Sequence, residues 1–100
     1  MTSSKYRSSN IIIQTILETI LRAEAKNLGK RGIVKSHLIR HCGLKTPVAQ
    51  NYLDKMEQAG YIESVEEEWG ERTINLYRIT SKGEERHKWF VTINTELEGK

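Results

Sequence analysis

The chain is poor in the residues that staple, rigidify or anchor a protein. Among its 100 residues there is one cysteine, Cys42, one proline, Pro47, and one phenylalanine, Phe90. A lone thiol cannot close an internal disulfide, so a secreted, disulfide-stapled fold is not indicated. No run of about eighteen apolar residues is present to span a membrane, and Lys5 and Arg7 lead into a periodic amphipathic segment rather than a cleavable apolar stretch. A cytoplasmic protein without membrane attachment is expected. No Ser/His/Asp set, phosphate-cradling glycine loop or paired acids stands out, and a domain this small leaves little room for a reaction pocket, so an enzyme is not expected. His37 and His41 lie one helical turn apart beside Cys42, a spacing that can put two ring nitrogens on one metal. Cys42 falls on the core side, however, and the remaining histidine is the distant His87. Neither a metal nor a cofactor is expected.

What is present is charge, unevenly distributed. The net charge is +3, but from Arg22 to Lys45 there are seven basic residues against the single acid Glu24, while from Glu57 to Glu71 there are six acids and no Lys or Arg. A basic block of this kind is the electrostatic footprint of a nucleic-acid surface, because cations that neutralise phosphates release condensed counterions; a solvated helix face is the plain alternative. A chain of this length forms one domain that buries only a modest fraction of its surface, so a second copy is a natural source of further burial. We expect a flexible segment over residues 1–8 and one domain over 9–100.

Hydrophobic periodicity and punctuation then divide the chain. Ser9 or Asn10 can cap a first helix running to about Leu28, with Ile13, Ile16, Leu17, Ile20 and Ala23 on its core stripe. Ile12 and Leu21 widen that stripe beyond the needs of one core and suggest contact with a partner. Ile33 and Val34 leave room for a strand stub, after which Ser36 can cap a short helix carrying Leu38, Ile39 and Cys42 on one side and His37, Arg40 and His41 on the other, ended by Gly43. With Thr46 as cap and Pro47 as first helical residue, a third helix extends to Ala59 and stops at Gly60. Its predicted buried stripe is Val48, Tyr52, Leu53, Met56 and Ala59, leaving Pro47, Gln50, Asn51, Asp54, Lys55 and Gln58 outward. Two strand-like runs, YIESVEEE and RTINLYRIT, join around Trp69-Gly70 as a hairpin. A last helix over 81–97 follows, with Thr80 or Ser81 as cap and Glu84 in capping-box position. The class is mainly α with a small β-hairpin (α+β), in the order helix, strand stub, helix, helix, hairpin, helix. A short helix joined by a tight turn to an amide-bearing helix, followed at once by a hairpin, is a helix-turn-helix with a wing.

On that basis the third helix is expected in the major groove of double-stranded DNA. Gln50 and Asn51 can pair with base edges, Pro47 can meet thymine methyls, and Lys35, Ser36, Lys45, Thr46 and Lys55 are placed for phosphates. The tract SHLIRHCGLKTPVAQNYLDKMEQAGYIE, followed by YRITSKGEE, resembles the archaeal winged-helix DNA-binding proteins of the ArnR-like type, over roughly Arg7 to Leu97. That resemblance implies duplex DNA binding as a homodimer joined through the terminal helices. The expected dimer residues are Ile12, Leu21, Trp89, Phe90, Ile93 and Leu97. The last helix offers only about two heptad layers, too few for an isolated coiled coil, so it must pack on the first helix of its own or a partner chain; Trp89 and Phe90 could alternatively complete the monomer core.

A second departure lies in the wing. Its tip carries Glu66, Glu67, Glu68 and Glu71, with Arg72 as its one cation and its expected DNA contact. These acids could guard a hairpin edge against pairing, face a basic surface on a protein partner, or limit non-specific DNA binding. Trp69 could insert into a groove or pocket, or pack over the hairpin or on Arg72. A sequence-specific transcriptional regulator in the cytoplasm, associated with the nucleoid, is the leading expectation. An architectural chromatin protein and a protein–protein module using the acidic wing are the alternatives.

Overall fold

The computed structural model describes residues 9–26 and 32–97. Its elements are α1 (Ser9–Lys26), β1 (Ile33–Val34), α2 (Lys35–Cys42), α3 (Thr46–Gln58), β2 (Ile62–Trp69), β3 (Arg72–Ile79) and α4 (Ser81–Leu97). The expected flexible segment 1–8 and the extension of the first helix to Leu28 lie outside the described residues. A three-stranded antiparallel sheet in the order β1-β3-β2 backs the helices. No helix among the described residues is long and apolar enough to cross a membrane.

One core joins these elements. Ile16, Leu17 and Ile20 of α1 meet Leu38 of α2, Leu53 and Met56 of α3 and Ile62 of β2, all nearly inaccessible to water. Cys42 is buried among them, as its place in the sequence implies. Ile12 corrects the expectation of surplus surface: it is only 8% exposed and belongs to the chain's own core. Leu21 and Phe90 are half-buried against the same core. α4 packs along another face of its own α1, through a polar seam. Asn94, 6% exposed, donates to the Gln14 side chain (2.6 Å) and the Asn10 carbonyl (3.3 Å). Glu18 accepts from Gln14 (2.8 Å) and meets His87 Nε2 at 3.1 Å. Burial alone would raise the Glu18 carboxyl, but these two hydrogen bonds and the nearby His87 and Arg22 hold it below its ordinary range.

The two sequence passages that carry the family resemblance are opposite sides of one contact. α3 ends in a double hydrogen bond, from Gly60 N–H to the Glu57 carbonyl (3.0 Å) and from Tyr61 N–H to the Met56 carbonyl (2.9 Å), with Gly60 left-handed at φ 85°. Tyr61 then presents its carbonyl to Thr80, whose N–H donates to it at 3.0 Å. The Thr80 hydroxyl lies 2.6 Å from the Gly60 carbonyl and 3.0 Å from that of Tyr61, and accepts from Gly83 N–H at 2.9 Å. Thr80, rather than Ser81, is therefore the cap of α4, and its third residue is Gly83, so the expected capping box is not formed. Tyr61 also meets Phe90 edge-on at 6.3 Å between centroids. Deeper in, the Glu24 carboxylate accepts Ile79 N–H at 3.0 Å. Burial pushes its carboxyl above the ordinary range, which that hydrogen bond only partly offsets.

Candidate nucleic-acid interface

β1 runs directly into α2, and this fixes the chemistry of α2's first turn. Val34 occupies the cap position in an extended conformation and supplies no side-chain cap. Ser36 is therefore inside the helix, not its cap as the sequence suggested, and its hydroxyl is exposed. A smaller shift, of one residue, occurs at α3: Lys45 takes the cap position, again without a side-chain bond, Thr46 is the first helical residue and Pro47 follows it. Both N-termini thus leave backbone donors and partial positive charge open to solvent.

These two helix starts face the part of β3 that β1 does not reach, since β1 pairs only with Tyr77 and Leu76. Between them lies an open groove of about 410 Å³, lined by Val34, Lys35, Ser36, Ile39, Thr46 and the β3 residues Arg72, Thr73, Ile74 and Asn75. Four residues expected to bind DNA, Lys35, Ser36, Thr46 and Arg72, are brought together here from three elements. Two cations and several hydroxyls around an apolar floor suit a sugar-phosphate strand, whose sugar is apolar at its face and whose phosphates are anionic. Sequence reasoning passed over Thr73 and Asn75; the β1–β3 register that exposes them depends on a two-residue strand no pattern could align.

The outward face of α3 differs from expectation in two ways. Ala49, Leu53 and Met56 are its buried residues, whereas Val48, expected in the core, is 43% exposed. Leu53 and Met56 are buried as expected, but at the helix start it is the small Ala49 that faces the core and Val48 that turns outward. Gln50 is half-buried, donates to Asp54 at 2.8 Å and hydrogen-bonds the Tyr77 hydroxyl. Burial pushes that hydroxyl above its ordinary range, Gln50 acting against the shift. Pro47, Asn51 and Lys55 are exposed, successive residues of one ridge, with Lys45 exposed just ahead of the helix. One flank of α3, Gln50, Asp54 and Glu57, is thus acidic and internally bonded, Glu57 accepting from Ser64 at 2.9 Å. The flank carrying Val48, Asn51 and Lys55 is neutral to basic.

The wing is closed by a two-residue turn, Gly70-Glu71, between paired Trp69 and Arg72, with Gly70 left-handed at φ 67°. Trp69 does not stack on Arg72; its indole N–H donates to Glu67 at 3.0 Å. Glu63, Glu66 and Glu68 are exposed on β2, the edge strand, and Glu63 pairs with Arg78 at 2.8 Å. On α4, Trp89 is 57% and Ile93 42% exposed, Leu97 more so, and Arg86 lies over the Trp89 ring at 4.2 Å. Of the two aromatics considered for the monomer core, Phe90 joins it and Trp89 does not. Among the described residues no group of three or more His, Cys, Asp or Glu is placed to hold a metal ion.

Four helices, a short first strand and a hairpin following the α2-turn-α3 pair define a winged helix-turn-helix. The chain belongs to that family: the family's model, described as winged helix-turn-helix, matches residues 6–98. DNA is the class of partner such domains indicate. In structure the chain is similar to smu.1704 from Streptococcus mutans UA159, at TM-score 0.73 and 19% identity, over 91% of this chain and 82% of that one. At that identity the likeness speaks to fold alone. No curated protein matches the sequence.

Proposed function

We propose that this protein is a sequence-specific, duplex DNA-binding transcriptional regulator that acts as a homodimer in the cytoplasm, on the nucleoid, with residues 9–100 as the DNA-binding unit. The observation that carries this is the adjacency of an exposed α3 ridge, Pro47, Asn51 and Lys55, to the cation-rimmed groove formed by the α2 and α3 N-termini and β3. α3 enters the major groove with Asn51 at a base edge and Pro47 against thymine methyls. Lys35, Ser36, Thr46 and Arg72 hold one strand's backbone, and Lys45 and Lys55 meet flanking phosphates. Gln50 joins the readout only by giving up its bond to Asp54. The YRITSKGEE passage supports placement in the archaeal ArnR-like branch. For dimerisation, Trp89, Ile93 and Leu97 of α4 supply an exposed apolar ridge, with Leu21 and Phe90 supporting it from the core side and Ile12 contributing only indirectly.

A second reading has one observation in its favour: the acidic β2 edge with its exposed Trp69, which fits a basic protein surface. A salt titration of binding to random duplex and to DNA upstream of the protein's own gene separates the readings. Specific regulation requires tighter binding to the upstream DNA and a log–log salt slope reporting several phosphate contacts. Equal affinity for both would mean an architectural role, and no binding to either would leave the protein-binding wing.

A further inference from the structure

Val48 is a stiff, β-branched side chain, 43% exposed on the first turns of α3. It is one of five large hydrophobics left exposed among the described residues, and the one of them that lies on α3. It sits three residues before Asn51 and seven before Lys55, so the three form one ridge. Pro47, also exposed, adjoins it. The opposite flank cannot take this part: Gln50 is bonded to Asp54, and Asp54 and Glu57 would repel phosphate. The face left to approach a duplex is therefore apolar at its leading end, amide in the middle and cationic behind.

Resting on the DNA-binding reading above, we infer that Val48 is a specificity-determining residue that packs against thymine 5-methyl groups in the major groove while Asn51 reads a neighbouring adenine, so that α3 selects sites containing A·T pairs. The 5-methyl is the apolar group that a normal base pair exposes in the major groove, and adenine offers N6–H and N7 side by side to a carboxamide. A thymine contact beside an adenine contact is what one A·T pair, or two successive ones, provides.

The test uses the whole chain. Wild type selects binding sites from a random duplex library. The selected duplex is then made with thymine and with deoxyuridine at each A·T pair in turn, which removes the methyl and keeps every hydrogen-bonding group. Loss of one buried methyl weakens binding about fourfold. Wild type should show that loss at one or two positions, whereas Val48→Ala should bind the thymine duplex more weakly and no longer distinguish it from the uracil one. Lys55→Ala should weaken both duplexes equally and keep the discrimination. Because Val48 is outside the core, far-ultraviolet circular dichroism of Val48→Ala should match wild type. A selected site without A·T pairs, equal wild-type affinity for thymine and uracil duplexes, or discrimination that survives in Val48→Ala would overturn the inference. 5-Methylcytosine carries the same methyl group, and a methylated-cytosine duplex bound better than the thymine duplex would assign Val48 to that base instead. Failure to bind duplex DNA of any sequence is a separate outcome, which removes the underlying reading and this inference with it.

Discussion

Replacing a helical glycine with alanine ordinarily stabilises a protein, and at Gly83 it should do the reverse. In a helix interior the gain is about 1 kcal/mol. Gly83, however, is buried where α4 starts, and a Cβ there would run into the Tyr61 carbonyl oxygen and lie 2.8 Å from Ile79 Cγ1. Neither neighbour can retreat cheaply. The Tyr61 carbonyl is held by Thr80 N–H and the Thr80 hydroxyl, both at 3.0 Å, and Ile79 is a core residue of β3. Overpacking a site of this kind costs about 1–3 kcal/mol. Moving α4 outward to relieve it would also weaken the Thr80 cap bond to Gly83 N–H, a contribution of about 1 kcal/mol. Set against the propensity gain, Gly83→Ala should lose about 2 kcal/mol, or roughly 8–16 °C in Tm for a domain of this size. The assay is urea and thermal unfolding followed by circular dichroism, with Thr92→Ala, on the exposed side of the same helix, as the propensity control expected to gain a few tenths of a kcal/mol. If Gly83→Ala melts at or above the wild-type temperature, the close approach of α4 to the α3–β2 junction is wrong.

Three further outcomes are expected. Ile93→Glu should convert the proposed dimer to monomer by light scattering while leaving the monomer's melting within a few degrees, because Ile93 is exposed in the single chain; a wild type already monomeric at micromolar concentration would refute dimerisation through α4. Glu18, held below its ordinary value of about 4.5, contributes stability that is present above that pH and lost as the pH falls through its lower folded value. Glu18→Gln should therefore flatten the acid limb of the stability curve, and an unchanged limb would show that the α1–α4 seam does not set it. Neutralising the wing with Glu66→Gln and Glu68→Gln should tighten binding to any duplex at low salt, with the gain shrinking as ionic strength rises; a clear loss of DNA affinity would mean that these acids assist binding.

Much of this architecture was legible because its signals are local. Gly43, Gly60 and Gly70 fall at element ends or turns, Pro47 marks a helix start, and the alternation before and after Gly70 makes the hairpin. What was not legible depends on contacts between elements. Ser36 and Thr46 look like caps in isolation, but β1 feeding straight into α2 and the tight turn before α3 move the caps upstream, by two residues to Val34 and by one to Lys45. Val48 looks more apolar than Ala49, yet Ala49 shares the inward face with Leu53 and Met56, which leaves valine on the surface. Ile12 looked surplus because nothing in the α1 sequence tells how much of its surface the rest of the chain will cover. The groove has the same origin: Lys35, Thr46 and Arg72 are far apart in the chain and meet only because β3 extends past β1.

The two-sided charge of the chain acquires a spatial meaning in the wing itself. β2 carries Glu63, Glu66 and Glu68 along the outer edge of the sheet, while the free stretch of β3 lends Arg72, Thr73 and Asn75 to the groove. On the proposed binding mode, the backbone strand then lies on the β3 side, one strand removed from these acids. At 0.1 M salt, exposed charges are screened beyond a Debye length of about 10 Å, and neighbouring strands are only about 4.8 Å apart. The β2 acids thus remain within electrostatic reach of a phosphate seated at β3. Their repulsion would fall on every duplex alike, whatever its sequence, whereas the proposed contacts from Asn51 and its ridge would favour only matching sites. On the proposed binding mode, acids in this position weaken all binding by a similar factor and leave the ratio between sites to α3. They also leave β2, an exposed edge strand, poorly suited to pairing with another chain. These glutamates can serve both ends because the edge that needs protection and the strand proposed to meet DNA are adjacent, and not the same.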